Sequence, residues 1–152
     1  MFVAIFSLIA VPFLVLFHQI GHALGVVLTS KSEARVYLGP ATEQNTRTFS
    51  IGRIHFHLIL SYEGSVQWDT TLTKAQRIVA YAGGPLMTLV LTGLLWYIVT
   101  ITPEGNFWMN IANGFFLIAA VMLILTATPM AYPRWAKARA SDGLQIIRAV
   151  RD

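Results

Sequence analysis

The chain has 152 residues, of which 55% are hydrophobic and 12% charged, and that balance lies outside the range of an ordinary soluble domain. There is no cysteine, which excludes a disulfide framework, a thiolate metal site and a cysteine nucleophile; any metal has to be held by His, Asp or Glu. The net charge of +4 does not indicate nucleic-acid binding, because the charges are sided in a way that a membrane explains.

Three apolar stretches reach the roughly 20 residues that a bilayer crossing needs, residues 2–28, 78–101 and 107–127. The first lacks a basic leader and a small-x-small cleavage pattern, so it reads as a helix, not a cleaved signal. Lys31, Arg35, Arg47, Arg53, Lys74 and Arg77 lie between the first two stretches, and Arg134, Lys137, Arg139, Arg148 and Arg151 follow the third. The loop around Glu104 has no basic residue. Three crossings put both basic regions on one side, and the positive-inside rule makes that side cytoplasmic, with the N-terminus outside and the C-terminus inside. The expected location is the plasma membrane of a prokaryote. Residues 34–62 differ in kind: Ala34 to Leu38 and Thr48 to Tyr62 are rich in Val, Ile, Phe and Tyr and are broken by Gly39-Pro40 and Gly64, as short strands are. After the third apolar stretch, Gly143 to Val150 suits a short surface helix that carries Arg148 and Arg151 toward anionic headgroups. The expected fold is therefore an α-helical integral membrane protein, a single core over residues 1–152, with three transmembrane helices and a β element between the first two.

Polar residues inside a membrane helix are costly and mark function by default. Phe17-His18-Gln19-Ile20-Gly21-His22 interrupts the first apolar run. Imidazoles at i and i+4 leave one helix face about a turn apart, where both can reach a single zinc ion; packing against neighbouring helices is the alternative use. A third protein ligand is needed, and Asp142 in Ser141-Asp142-Gly143 is a candidate, although Ser141 or Asp142 could instead cap the helix that follows. His55 and His57, at i and i+2, share one face of a strand and suit interfacial polar positions better than a second metal site.

Phe17 to Gly25, FHQIGHALG, resembles the FHExGHxxG signature of the site-2 protease family of intramembrane zinc metalloproteases. Gly83-Gly84-Pro85-Leu86-Met87-Thr88 is similar to that family's GGPxxN element, and Ser141-Asp142-Gly143 to the Asp-Gly ending of its N-x-x-P motif. The resemblance implies one zinc per chain held by His18, His22 and Asp142, and cleavage of a transmembrane segment of a membrane-anchored substrate, commonly a signalling precursor such as an anti-sigma factor. In that family a strand region in the position of residues 48–62 is thought to receive substrate by edge pairing. Three positions depart from the pattern. Gln19 stands where the family has its general-base Glu, and an amide can bond a water but cannot take its proton, so the chain as written is expected to be inactive. The exchange is nearly isosteric and keeps both histidines, which fits an engineered trap, with a natural pseudoprotease that binds membrane segments without cutting them as the alternative. Thr88 and Thr126 replace the family's two Asn residues, and one hydroxyl does not reproduce an amide's two donors and its acceptor. No PDZ-like or CBS-like domain is expected within the 152 residues, and a small metal or proton transport subunit is a third reading.

Overall fold

A computed structural model describes residues 2–133 and 139–152, with side chains described from Phe6 onward. Arg134, Trp135 and Lys137, which enter the charge pattern and the motif interval, lie outside the described residues, as does Met1. The described chain is mostly helical, with helices α1 (Phe2–Thr29), α2 (Lys74–Ile101), α3 (Phe107–Ala127) and α4 (Asp142–Arg151). Strands β1 (Ala34–Leu38), β2 (Phe49–Ile51), β3 (Ile54–Leu58) and β4 (Gly64–Trp68) lie between α1 and α2. Three helices are long and apolar enough to cross a membrane, over Phe6–Thr29, Lys74–Ile101 and Phe107–Ala127. They indicate a membrane protein. Large apolar side chains stay exposed along α2 and α3, among them Leu86, Val90, Trp96, Val121 and Ile124, an arrangement suited to lipid and costly in water.

Local chemistry sets the helix ends. α1 closes with Thr29 and Ser30 hydroxyls donating to the carbonyls of Gly25 and Val26. Arg53, reaching back from the β2–β3 turn, donates to the carbonyls of Val27, Ser30 and Ser32, where a cation satisfies the last carbonyls of a helix and complements its dipole. α2 starts at Lys74, four residues before the apolar run, because Thr73 and Gln76 form a capping box that hydropathy does not register. Gln76 also donates to Thr29 O at 2.7 Å and so ties the start of α2 to the end of α1.

The sheet order is β2-β3-β1-β4, with β1 parallel to β3 and both outer pairs antiparallel. The expected strand region over residues 48–62 resolves into β2 and β3 joined at Gly52, whose φ of 56° suits a tight turn. Gly64, expected to break a strand, instead begins β4, an outer strand of the sheet. Val36, Ile54 and Phe56 of the sheet pack with Ala23 and Val26 of α1 and Ala80 of α2 into one buried cluster. This fixes the sheet against the C-terminal half of α1.

α1 and α2 cross with almost no side-chain thickness between them. A Cβ on Gly21 would overlap the backbone at Gly83, a Cβ on Gly83 would overlap the backbone at Gly21, and a Cβ on Gly25 would stand 2.7 Å from Val79 O. Small residues permit the close backbone approach on which helix pairs in lipid depend.

Candidate metal centre

His18 and His22 project from α1 toward α2 and α4, and both are buried. Gly84 makes room for them, since a Cβ there would overlap the His22 ring and stand 2.7 Å from His18 Nε2. Each ring is anchored through its Nδ1. His22 Nδ1 lies 2.7 Å from Ala80 O, and because a carbonyl only accepts, that nitrogen carries the hydrogen. The Thr88 hydroxyl lies 3.1 Å from Gly84 O and 2.8 Å from His18 Nδ1, so that with its hydrogen on the carbonyl its oxygen accepts from the ring. In the neutral rings both Nε2 atoms then present lone pairs, 3.1 Å apart.

Asp142 completes the group from the first turn of α4. Its Oδ2 is 3.0 Å from His18 Nε2 and its Oδ1 3.4 Å from His22 Nε2. The capping role open in the sequence falls to Ser141, whose hydroxyl oxygen accepts from Leu144 N and Met130 N while its hydrogen goes to Thr128 O. Asp142 is thereby released to face the histidines. Burial alone would raise its carboxyl, but in the metal-free chain hydrogen bonding from a ring that carries its hydrogen on Nε2, together with the charge of the histidines, outweighs burial and holds it at about 2. A carboxylate and two inward lone pairs repel one another unless a positive charge lies between them, either a proton on one Nε2 or a metal cation. The separations of 3.0 to 3.4 Å accommodate either, since such hydrogen bonds span about 2.7–3.2 Å and ligands about 2.0–2.2 Å from a tetrahedral zinc stand about 3.3 Å from one another. Among the described residues, His18, His22 and Asp142 are the one group of three that can hold a metal ion, with ligand atoms all within 4.8 Å.

No protein-family model, curated protein or solved structure matches this chain. The chemistry of the site has to be read from its own atoms.

A cavity of about 850 Å³ opens beside the three ligands. Its walls come from α1 (Val11, Val15), α3 (Ile118, Met122), β4 (Gly64, Trp68) and the start of α4. That volume takes a short stretch of peptide. Gln19 lines the same cavity, one residue from His18, with its side chain against β4: a Cβ on Gly64 would stand 2.8 Å from Gln19 Cγ and 2.7 Å from Val15 Cγ1. Gly64 therefore lets an outer strand lie directly over the helix that carries the histidines. β4 lines the cavity, as does Tyr62 at the end of the 48–62 region, whereas β2 and β3 occupy the other end of the sheet order.

The remaining candidates fall elsewhere. Thr126 lines the cavity but donates to Met122 O at 2.9 Å, tying it to its own helix. Tyr132, not singled out by the sequence for the site, lines it too and donates to Leu125 O at 3.0 Å; burial, with the charge of Asp142, pushes its phenol up, so it remains a neutral donor. His55 sits between Ser50 Oγ at 2.7 Å and Glu33 Oε2 at 3.1 Å, and His57 is 2.7 Å from Asn45 O and stacked on Tyr37. Both are locally satisfied polar positions of a half-buried strand.

Proposed function

We propose that this chain is the membrane core of an intramembrane zinc metallopeptidase of the site-2 protease kind, arrested at Gln19. The observation that carries the reading is the convergence of His18 Nε2, His22 Nε2 and a carboxylate oxygen of Asp142 beside a cavity bounded by an outer β-strand. The three apolar helices cross the membrane, with the basic stretches on its cytoplasmic side and the N-terminus outside. The chain's substrates are transmembrane segments of other membrane proteins.

His18, His22 and Asp142 would hold zinc through one atom each, three protein ligands being the number that leaves a position open. Bound there, zinc supplies Lewis acidity toward a peptide carbonyl and toward water. The chain's own residues do the rest. A transmembrane helix has to unwind before its backbone can be attacked, and the outer edge of β4 offers an extended segment the backbone hydrogen bonds it loses. Apolar Val15, Ile118 and Met122 line the cavity into which that segment fits. At position 19 a carboxylate would accept a proton from water and later release it to the leaving amine; the Gln19 amide can orient a water and has no basic site for the transfer. The substrate is then held uncut. Gln19 gives equal footing to a natural capture protein that never cleaves, and one exchange separates the two.

The test is zinc stoichiometry of the detergent-purified chain by elemental analysis, beside His22→Ala and Asp142→Ala, with Gln19→Glu assayed on a transmembrane substrate in the same preparation. About one zinc per chain, lost in both Ala variants, with zinc-dependent cleavage on Gln19→Glu, supports an arrested protease. Zinc bound, with substrate captured but still uncut by Gln19→Glu, supports the capture protein. Absence of zinc throughout overturns both.

A further inference from the structure

The hydrogen bond between Thr88 and His18 joins residues 70 positions apart and is buried, with Thr88 itself 1% exposed. Threonines in helices commonly return their hydroxyl hydrogen to the carbonyl one turn back, and several here do so at short range: Thr92 to Thr88 O at 2.7 Å, Thr102 to Ile98 O at 2.7 Å and Thr126 to Met122 O at 2.9 Å. Thr88 makes the same bond to Gly84 O at 3.1 Å, longer than those three, while its oxygen stands 2.8 Å from His18 Nδ1. With its hydrogen on Gly84 O, pointing back along α2, the hydroxyl turns a lone pair toward the ring.

We propose that Thr88 is a positioning residue for the metal centre, fixing His18 as the Nδ1–H tautomer with Nε2 aimed at the ion; the proposal rests on the metal-site reading above. The ring has two ways to be turned and two tautomers, and only one combination presents an Nε2 lone pair beside His22 Nε2 and Asp142. An acceptor on Nδ1 selects that combination and makes Nε2 the more basic ligand atom. On the other ring Ala80 O does the same for His22, but a backbone carbonyl cannot be exchanged by mutation, whereas Thr88 can. An amide at position 88 would offer His18 a donor or an acceptor according to its flip; Thr88, held by Gly84 O, offers an acceptor only. The departure from GGPxxN thus becomes a feature of the centre with its own chemistry.

The test uses cobalt(II) as the probe, titrated into the detergent-purified full chain freed of metal, with visible absorption and competition against a chelator as readouts. Wild type and Thr88→Ser are expected to show the intense bands of a four-coordinate site, with affinities within about threefold of each other. Thr88→Val, of nearly equal shape but with no acceptor, is expected to bind about 10- to 100-fold more weakly, the usual cost of losing an outer-shell partner. If Thr88→Val perturbs folding, Thr88→Ala against Thr88→Ser isolates the hydroxyl in the same way. A merely structural role would lower the thermal midpoint of the metal-free chain and leave the cobalt spectrum and affinity of the folded fraction unchanged; that result overturns the proposal, as does Thr88→Ser binding no better than Thr88→Ala. Failure of the wild type to bind cobalt overturns the metal-site reading together with it. Binding that is indifferent to the hydroxyl overturns only the role of Thr88.

Discussion

The absence of one carbon atom at Gly84 sets how close the His18 and His22 rings come to α2. Their nitrogens occupy the space in which a side chain would begin. Gly84→Ala should therefore push both rings out of register, because a Cβ would overlap His22 and crowd His18, and neither ring can retreat while its Nδ1 is bonded to α2. The expected outcome is loss of stoichiometric zinc in a chain that still inserts and remains helical by circular dichroism; retention of one zinc with unchanged affinity would contradict the packing. Asp142 makes a second prediction through its acidity. Its folded pKa of about 2 lies below the ordinary carboxylate value near 3.9, so the metal-free folded state binds its proton less readily than the unfolded chain. The resulting stability is fully present above about pH 4 and is lost as pH falls through about 2. Thermal midpoints of metal-free wild type and Asp142→Asn should differ at pH 5 and converge toward pH 2. A difference independent of pH would show that the carboxylate is not held in this way.

At the scale of elements, the strand that matters to the cavity is β4, and its position depends on Gly64 lying on Val15 and Gln19. Gly64→Val should lift the strand from α1 and widen the cavity, at a cost of roughly 1–3 kcal/mol from overpacking. If Gln19→Glu cleaves as proposed, Gly64→Val in that background should reduce cleavage at least tenfold while zinc stoichiometry stays near one, because none of the three candidate ligands comes from β4. Loss of zinc instead would mean that the strand supports the ligands and not the substrate. This element also marks the limit of sequence reading. The three long helices were legible because hydropathy over 20 residues averages away local exceptions, and the His18–His22 pair was legible because i, i+4 spacing fixes a shared face. β4 was not, since Gly64-Ser65 reads as a break and Gln67 weakens the apolar pattern; only pairing with β1 makes it a strand. The start of α2 was missed for the opposite reason, because a polar capping box precedes the apolar run. Thr88 beside His18 depends on a helix crossing made by glycines, and no local pattern encodes a contact 70 residues long. Whether Ser141 or Asp142 caps α4 was open in the sequence; Ser141 takes the cap, and Asp142 faces the histidines.

Across the whole molecule, His18, His22 and Asp142 join α4 to the closely packed α1–α2 pair. α1 supplies two of the three candidate ligands, α4 the third, and α2 the groups bonded to both rings. α4 is short and amphipathic, and away from Asp142 it is held to α2 by Lys74 Nζ donating to Val150 O and by the Arg77–Asp152 ion pair at 3.2 Å, both exposed. Exposed ion pairs contribute little, about 0–1 kcal/mol each. A ligand that binds only the assembled state adds RT ln(1 + [L]/Kd), about 2.7 kcal/mol when free metal exceeds Kd a hundredfold. Ser141, bonded to Thr128 O and Met130 N, and Gly143, close against the Ala127 backbone, seat the start of α4, and zinc, if it binds as proposed, adds a restraint to these. Chelation should accelerate amide hydrogen exchange across residues 144–151 and leave exchange at the α1–α2 crossing near Gly21 and Gly83 nearly unchanged, because close backbone packing holds that crossing without metal. Asp142→Ala should show the fast α4 exchange with or without zinc. Uniform exchange changes over all four helices on chelation would mean that the metal supports the whole fold; none at all in α4 would mean that the helix docks by its own contacts, and the centre would then be a site in an already rigid frame.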